Sequence, residues 1–232
     1  MRKEPYKYET TSVTGFVQRI ATCLLRHGYV HYVQGRVGEV KDPRAIDKKL
    51  LEKYDVVQSE WSRARRKEKG LANLQYVRFD RTWVLMATEG SHPMKSAEQS
   101  QLRDIREAPI QIEGYSIYLK RGDFKKKRTK EEAPVRDDKF HARVLISRER
   151  YLELRAYFMS IACHRSAERL AMEINALPFE PYKPVWRQLR KIVRLLNKKR
   201  KAAGFDQVRM EAVRWRRSIV KAFEPVAVDE AA

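Results

Sequence analysis

The chain opens polar, from Met1 to Thr11, in a stretch expected to be loose, and then turns amphipathic. Val13, Phe16, Val17, Ile20 and Leu24 recur at helical spacing with Gln18 and Arg19 opposite, which predicts a helix over 13–25 ended by Gly28. The period then changes: Tyr29 to Val37 is rich in β-branched and aromatic residues and reads as a strand. Alternation puts Tyr29, His31, Val33 and Val37 on one face and Val30, Tyr32, Gln34 and Arg36 on the other, a face polar enough to lie open to water. Asp42 and Pro43 supply an N-cap and a first-turn proline for a second helix, with Ile46, Leu50, Leu51 and Tyr54 as its buried stripe.

A short third helix is capped by Ser59 and ended by Gly70, and Trp61, Ala64 and Leu71 mark the side expected to face a core. Two apolar strands, Asn73 to Phe79 and Thr82 to Thr88, turn around Asp80 and Arg81. After a long connection over 89–108, further strands flank Glu113-Gly114, a two-residue hairpin signal. Residues 121–139 read as a charged, solvated loop and Phe140 to Ile146 as one more strand. Ser147 then caps one long helix whose apolar side runs from Tyr151 to Ile174. Prolines break the chain over 178–184; a helix from Pro184 to Gly204 follows, then a last helical piece over 207–223. The sum is α+β: about six strands in a mostly antiparallel sheet with short basic helices, then a helical C-terminal part. The expected division is a core over 1–146, a helical basic region over 147–223 packing on it, and a disordered acidic tail over 224–232.

Charge changes this picture more than any single element. Fifty Lys+Arg against thirty Asp+Glu leave a formal net charge of +20, while 43% hydrophobic residues still allow a packed core. Self-repulsion of that size stabilises nothing by itself, so a polyanionic partner is expected, nucleic acid first. The basic residues are spread over several elements rather than along one amphipathic anchor, and no stretch has the length of a membrane span; no membrane partner and a cytoplasmic location are expected. Cys23 and Cys163 lie far apart and form no Cys-x-x-Cys pair, and neither a phosphate-binding loop nor a dinucleotide fingerprint is present. No metal and no cofactor are expected.

The basic residues gather in clusters beside aromatic rings. Trp61 accompanies Arg63, Arg65, Arg66, Lys67 and Lys69; Phe124 accompanies Lys125, Lys126, Lys127 and Arg128. Trp186 accompanies Arg187, Arg190, Lys191, Arg194, Lys198, Lys199, Arg200 and Lys201, and Trp215 sits among Arg214, Arg216 and Arg217. Guanidinium next to an aromatic ring can hold a phosphate and stack a base, which lysine alone cannot do. These residues point to a non-enzymatic nucleic-acid-binding protein, RNA favoured slightly over DNA, acting with other proteins of a nucleoprotein assembly. Two basic helices in tandem raise helix-turn-helix readout, but no third helix precedes the strands. The alternative is a nuclease or strand-processing enzyme, for which His27 and His31 are candidate acid–base groups and Tyr151 a candidate nucleophile.

Overall fold

The computed structural model describes residues 6–122, 125–126, 129, 131–217 and 220–224, with the side chains of 125, 126 and 136 outside that description. The chain divides into two compact units: Met1–Ile110 with Ile117–Arg143 and Val220–Ala232, and Gln111–Ser116 with Val144–Ile219.

The first unit runs β1 (Glu9–Thr10), α1 (Val13–Gln18), a π-helical stretch (Arg19–Leu24), a 3-10 turn (Leu25–His27), β2 (Tyr29–Arg36), α2 (Pro43–Lys53), α3 (Glu60–Glu68), β3 (Leu74–Phe79), β4 (Thr82–Thr88), α4 (Pro93–Ala97) and β5 (Arg103–Asp104). Its sheet has the order β1-β3-β4-β2-β5. The β3–β4 hairpin closes at Phe79 and Thr82, with Asp80 in the left-handed region that a two-residue turn requires. Among the described strands of this sheet β1 alone pairs in parallel, against Arg78 and Phe79 of β3.

β4 lies at the centre and carries apolar residues on both faces, as a strand covered on both sides must. One face joins Val33, Leu74, Tyr76, Leu85 and Ala87 to Tyr54, Val56 and Met94. Tyr32, on the β2 face expected to be open, is fully buried, and its hydroxyl donates to the carbonyls of Ala108 (3.2 Å) and Pro109 (3.1 Å). That expectation fails because the chain after β5 packs on this face, bringing the Ala108 and Pro109 carbonyls onto the Tyr32 hydroxyl.

Of the opening stretch, residues 6–11 are more ordered than their polarity suggests, and 1–5 lie outside the described residues. Tyr6 lies along the edge of β3, its hydroxyl accepting from Tyr76 N (2.9 Å) and donating to Tyr76 O (3.1 Å). A single hydroxyl thus does for one residue what a neighbouring strand would do. Burial pushes that hydroxyl's pKa up to about 12.

On α2 the deepest residue is none of the expected stripe but Asp47, with no exposed surface. It accepts from Tyr76 Oη (2.6 Å) and from Arg78 Nε (2.9 Å to each oxygen), and Arg78 also pairs with Glu9 at 3.0 Å. The connection after β4 holds α4 and β5, and buried His92 caps α4 by accepting from Met94 N (3.0 Å) through Nδ1. Burial lowers the pKa of this imidazole, in keeping with its role as an acceptor.

Next come β6 (Ile110–Ile112), β7 (Tyr115–Arg121), β8 (Lys125–Lys126), β9 (Val135–Arg136) and β10 (Phe140–Ile146). The described strands fall into sheets of five, three and two, the second in the order β10-β7-β6, rather than one sheet of six. Glu113 and Gly114 both take positive φ, as the hairpin signal requires. Within the charged stretch over 121–139, β8 and β9 pair antiparallel.

The second unit contains α5 (Arg148–Ile161), α6 (Ala167–Asn175), α7 (Lys183–Ala202) and a 3-10 turn, Met210–Ala212. The single helix expected from Ser147 onward is therefore two, because Ser166 caps a new start by accepting from Arg169 N (3.2 Å). Of the piece expected to be helical over 207–223, the described residues form only the 3-10 turn and otherwise irregular backbone, and 218–219 lie outside the described residues. The Asn197 side chain takes both Val208 N and Val208 O at 2.8 Å, competing with helical pairing of that backbone. No described helix is long and apolar enough to cross a membrane.

Candidate nucleic-acid interface

None of the residues of α3 is buried, and Trp61 is 76% exposed. The expectation that Trp61 and Ala64 face a core is wrong, because hydrogen bonds rather than apolar contacts hold this helix. Arg63 Nη1 donates to Gln58 O (2.6 Å), Arg66 donates to Ala72 O (3.0 and 3.3 Å), and Asn73 Nδ2 donates to Arg63 O (2.9 Å). Two of the five cations are thus partly framework. Arg65, Lys67 and Lys69 are exposed, and Arg65 lies 5.5 Å from the centre of the Trp61 ring, within cation–π range. The side chains of Lys125 and Lys126, and Lys127 and Arg128 altogether, lie outside the described residues.

α7 divides its charge by phase. Val185, Leu189, Ile192, Val193 and Leu196 are buried, while Arg187, Lys191, Arg194, Lys198 and Lys201 are exposed. Lys199 is exposed too but donates to Met159 O (2.9 Å). A groove of about 460 Å³ is lined by Arg190, Arg194, Asn197, Lys198, Lys201, Gln207 and Met210, four cations without a carboxylate. Near its start Arg190 stacks over Trp186 at 4.3 Å, and Trp186 meets Trp215 edge to face at 5.4 Å. Trp215 is 73% exposed.

Two of the expected contacts are structural instead. Arg200 is 2% exposed, with its guanidinium on the carbonyls of Ala162, Arg165 and Asp206, so it cannot reach an external phosphate. Arg214 donates to Leu177 O (2.9 Å) and Phe179 O (3.0 Å). Arg216 and Arg217 are exposed, Arg217 over the Tyr182 ring at 4.7 Å.

The candidate catalytic residues are not brought together. His27 Nδ1 donates to Cys23 O (2.7 Å). His31 lies 2.9 Å from Glu89 and 4.0 Å from Asp104, and Arg106 binds both carboxylates. The hydrogen bond from His31, with those from Arg106, holds Glu89 below the usual carboxylate range; at Asp104 burial works upward but the Arg106 contacts outweigh it. The Tyr151 hydroxyl is buried without a partner and burial raises its pKa, which is the reverse of an activated nucleophile. No group of three potential metal ligands occurs among the described residues.

Sequence reasoning missed a cleft of about 780 Å³ in the first unit, between the π-helical stretch, α3 and the ends of β3 and β4. Arg19 and Cys23 line it from the first, Glu60, Arg63 and Lys67 from the second, Gln75 from β3, and Asn73 and Glu89 from the residues flanking β3 and β4. The one local signal was Arg19, set opposite the apolar stripe of the first helix. No family model matches the chain, and no curated protein matches it.

Proposed function

We propose that this is a non-enzymatic nucleic-acid-binding protein, preferring RNA, that holds the phosphate backbone through its arginine- and lysine-rich helices within a nucleoprotein complex. The outward face of α7 carries the reading. Arg190, Arg194, Lys198 and Lys201 follow one another at helical spacing over about 17 Å, and none has a carboxylate partner among the described residues. Cations so aligned repel one another, and a polyanion laid along them relieves the repulsion while releasing its own counterions. The exposed Trp215 and the Arg190–Trp186 stack add ring faces, which suit unpaired bases and hence RNA loops.

Changing Arg194, Lys198 and Lys201 together to glutamine is expected to weaken RNA binding and to make the plot of log K against log salt shallower by about 2–3. Filter binding between 50 and 300 mM salt measures this, and an unchanged slope removes α7 from the interface. Strand cleavage is the second reading, supported by His31 set between two carboxylates beside Arg106. It requires that labelled RNA or DNA be cut and that His31→Ala abolish the cutting; substrate left intact with and without Mg²⁺ removes it.

A further inference from the structure

Arg214-Trp215-Arg216-Arg217 follows the last 3-10 turn on irregular backbone, yet it is fastened within the second unit. Arg214 is half-buried, and its Nη2 donates to Leu177 O (2.9 Å) and Phe179 O (3.0 Å) in the stretch that leads into α7. Val213, just before it, is 3% exposed, and Arg217 lies over the Tyr182 ring at 4.7 Å. The chain is therefore held on both sides of Trp215, while Trp215 itself faces solvent with 73% of its surface exposed. A large aromatic ring held in place and left uncovered is a ready contact surface, since burying it on a partner yields both area and stacking.

Its neighbours say which partner. Trp215 meets Trp186, in the first turn of α7, edge to face at 5.4 Å, a contact that leaves most of the Trp215 ring open. Arg190 lies over the Trp186 ring at 4.3 Å and also lines the groove that Arg194, Lys198 and Lys201 continue. Arg190 thus belongs to the ring cluster and to the cationic groove at once. The groove lining holds four cations and no carboxylate, and Arg216 and Arg217 beside the ring are exposed. An apolar protein surface docked here would desolvate those charges without pairing them. A polyanion that carries flat aromatic groups matches both halves of the surface. In a duplex the base faces are stacked on one another, so the match is to a single strand.

We propose that Trp215 is a base-stacking platform beside the first turn of α7, receiving an unpaired base of a strand whose phosphates lie along Arg190, Arg194, Lys198 and Lys201, and that Arg214 is the positioning residue that holds it there. The proposal rests on the nucleic-acid reading and gives it a substrate class, single-stranded segments. Affinity then divides into a salt-sensitive part from the groove and a salt-insensitive part from the ring, because stacking releases no counterion.

The probes are a single-stranded RNA octamer, the same octamer with every base replaced by an abasic site, and the octamer paired with its complement, each measured by filter binding to the full chain across a range of salt. The abasic octamer is expected to bind about tenfold more weakly than the intact one, as loss of a stacked base should. Trp215→Ala, at an exposed position that folding tolerates, is expected to abolish that tenfold difference, to leave abasic and duplex binding unchanged and to leave the salt slope of the intact octamer unchanged. Arg214→Ala is expected to shrink the difference with the same unchanged slope, whereas a general loosening of the unit lowers the affinity for all three probes. Arg214→Lys, which keeps a donor, is expected to restore part of the difference and decides the point if the alanine variant does not fold. Equal binding of intact and abasic octamers, or a difference that survives Trp215→Ala, overturns the platform; the nucleic-acid reading stands in that case if the glutamine variant of Arg194, Lys198 and Lys201 still flattens the salt slope. A difference unaffected by either Arg214 variant overturns the positioning role. Absence of binding by all three probes overturns the platform and the reading together.

Discussion

Replacing Asp47 by alanine is expected to cost the first unit about 3–5 kcal/mol, enough to unfold much of a marginally stable domain. Asp47 and Arg78 are 0% and 3% exposed, and the carboxylate takes Arg78 Nε on both oxygens and the Tyr76 hydroxyl on one. Removing it strands a guanidinium, whose remaining partners are Glu9 and the Asp80 carbonyl, and a phenol that has lost its acceptor. The loss is thus dominated by groups left unpaired, which cost far more than the net value of the contact itself. The same reasoning fixes the sign of a second experiment. Asp47→Leu combined with Arg78→Met removes both charges, and the double variant is expected to recover most of the stability lost by Asp47→Ala. Urea unfolding followed by circular dichroism measures both, provided the slope with denaturant stays constant. A double variant no more stable than the single one would mean that charge compensation is not what Asp47 contributes.

Asp47 also shows where the sequence was legible and where it was not. The hairpin at Asp80-Arg81, the turn at Glu113-Gly114 and the caps at Ser59 and Ser147 rest on local chemistry within a few residues, and they were readable. Asp47 and Arg78 lie 31 positions apart, so no window contains both. A signal existed all the same: Asp47 is in phase with Leu50, Leu51 and Tyr54, and Arg78 interrupts an apolar strand. A charge in phase with an apolar stripe points inward, and two of opposite sign invite pairing. Trp61 is the converse case, an aromatic residue on a helix with no apolar stripe to be in phase with, and it lies outside. The basic clusters were legible as composition; their division into surface cations and carbonyl-bound arginines was not, since Gln58, Ala72, Leu177 and Phe179 offer backbone oxygens that leave no mark in sequence. The cleft was hidden for a related reason, being assembled from three separated stretches.

Arg200 and Lys201 put that rule to its sharpest test, because adjacent residues of similar chemistry are expected to behave oppositely. Arg200 continues the apolar stripe, four residues after Leu196 and seven after Val193, and is 2% exposed. Its fork spans the carbonyl of Ala162 at the C-cap of α5, that of Arg165 in the turn before α6, and that of Asp206 beyond α7. The end of a helix carries partial negative charge, so the guanidinium serves as a cationic cap for α5 without any carboxylate. Arg200→Met leaves one buried and two half-buried carbonyls without these donors and is expected to destabilise the second unit by about 3–5 kcal/mol. Arg200→Lys is expected to recover less than half of this, because a single ammonium cannot span positions that a planar fork reaches together. Lys201→Met, at an exposed position, is expected to change stability by no more than about 0.5 kcal/mol while making the salt dependence of RNA binding shallower by about 0.7–0.9. Denaturation midpoints and binding slopes measured on the same set of variants separate the two roles. An Arg200→Met protein that keeps its stability but loses affinity would place this guanidinium on the binding surface and undo its assignment as the cap of α5.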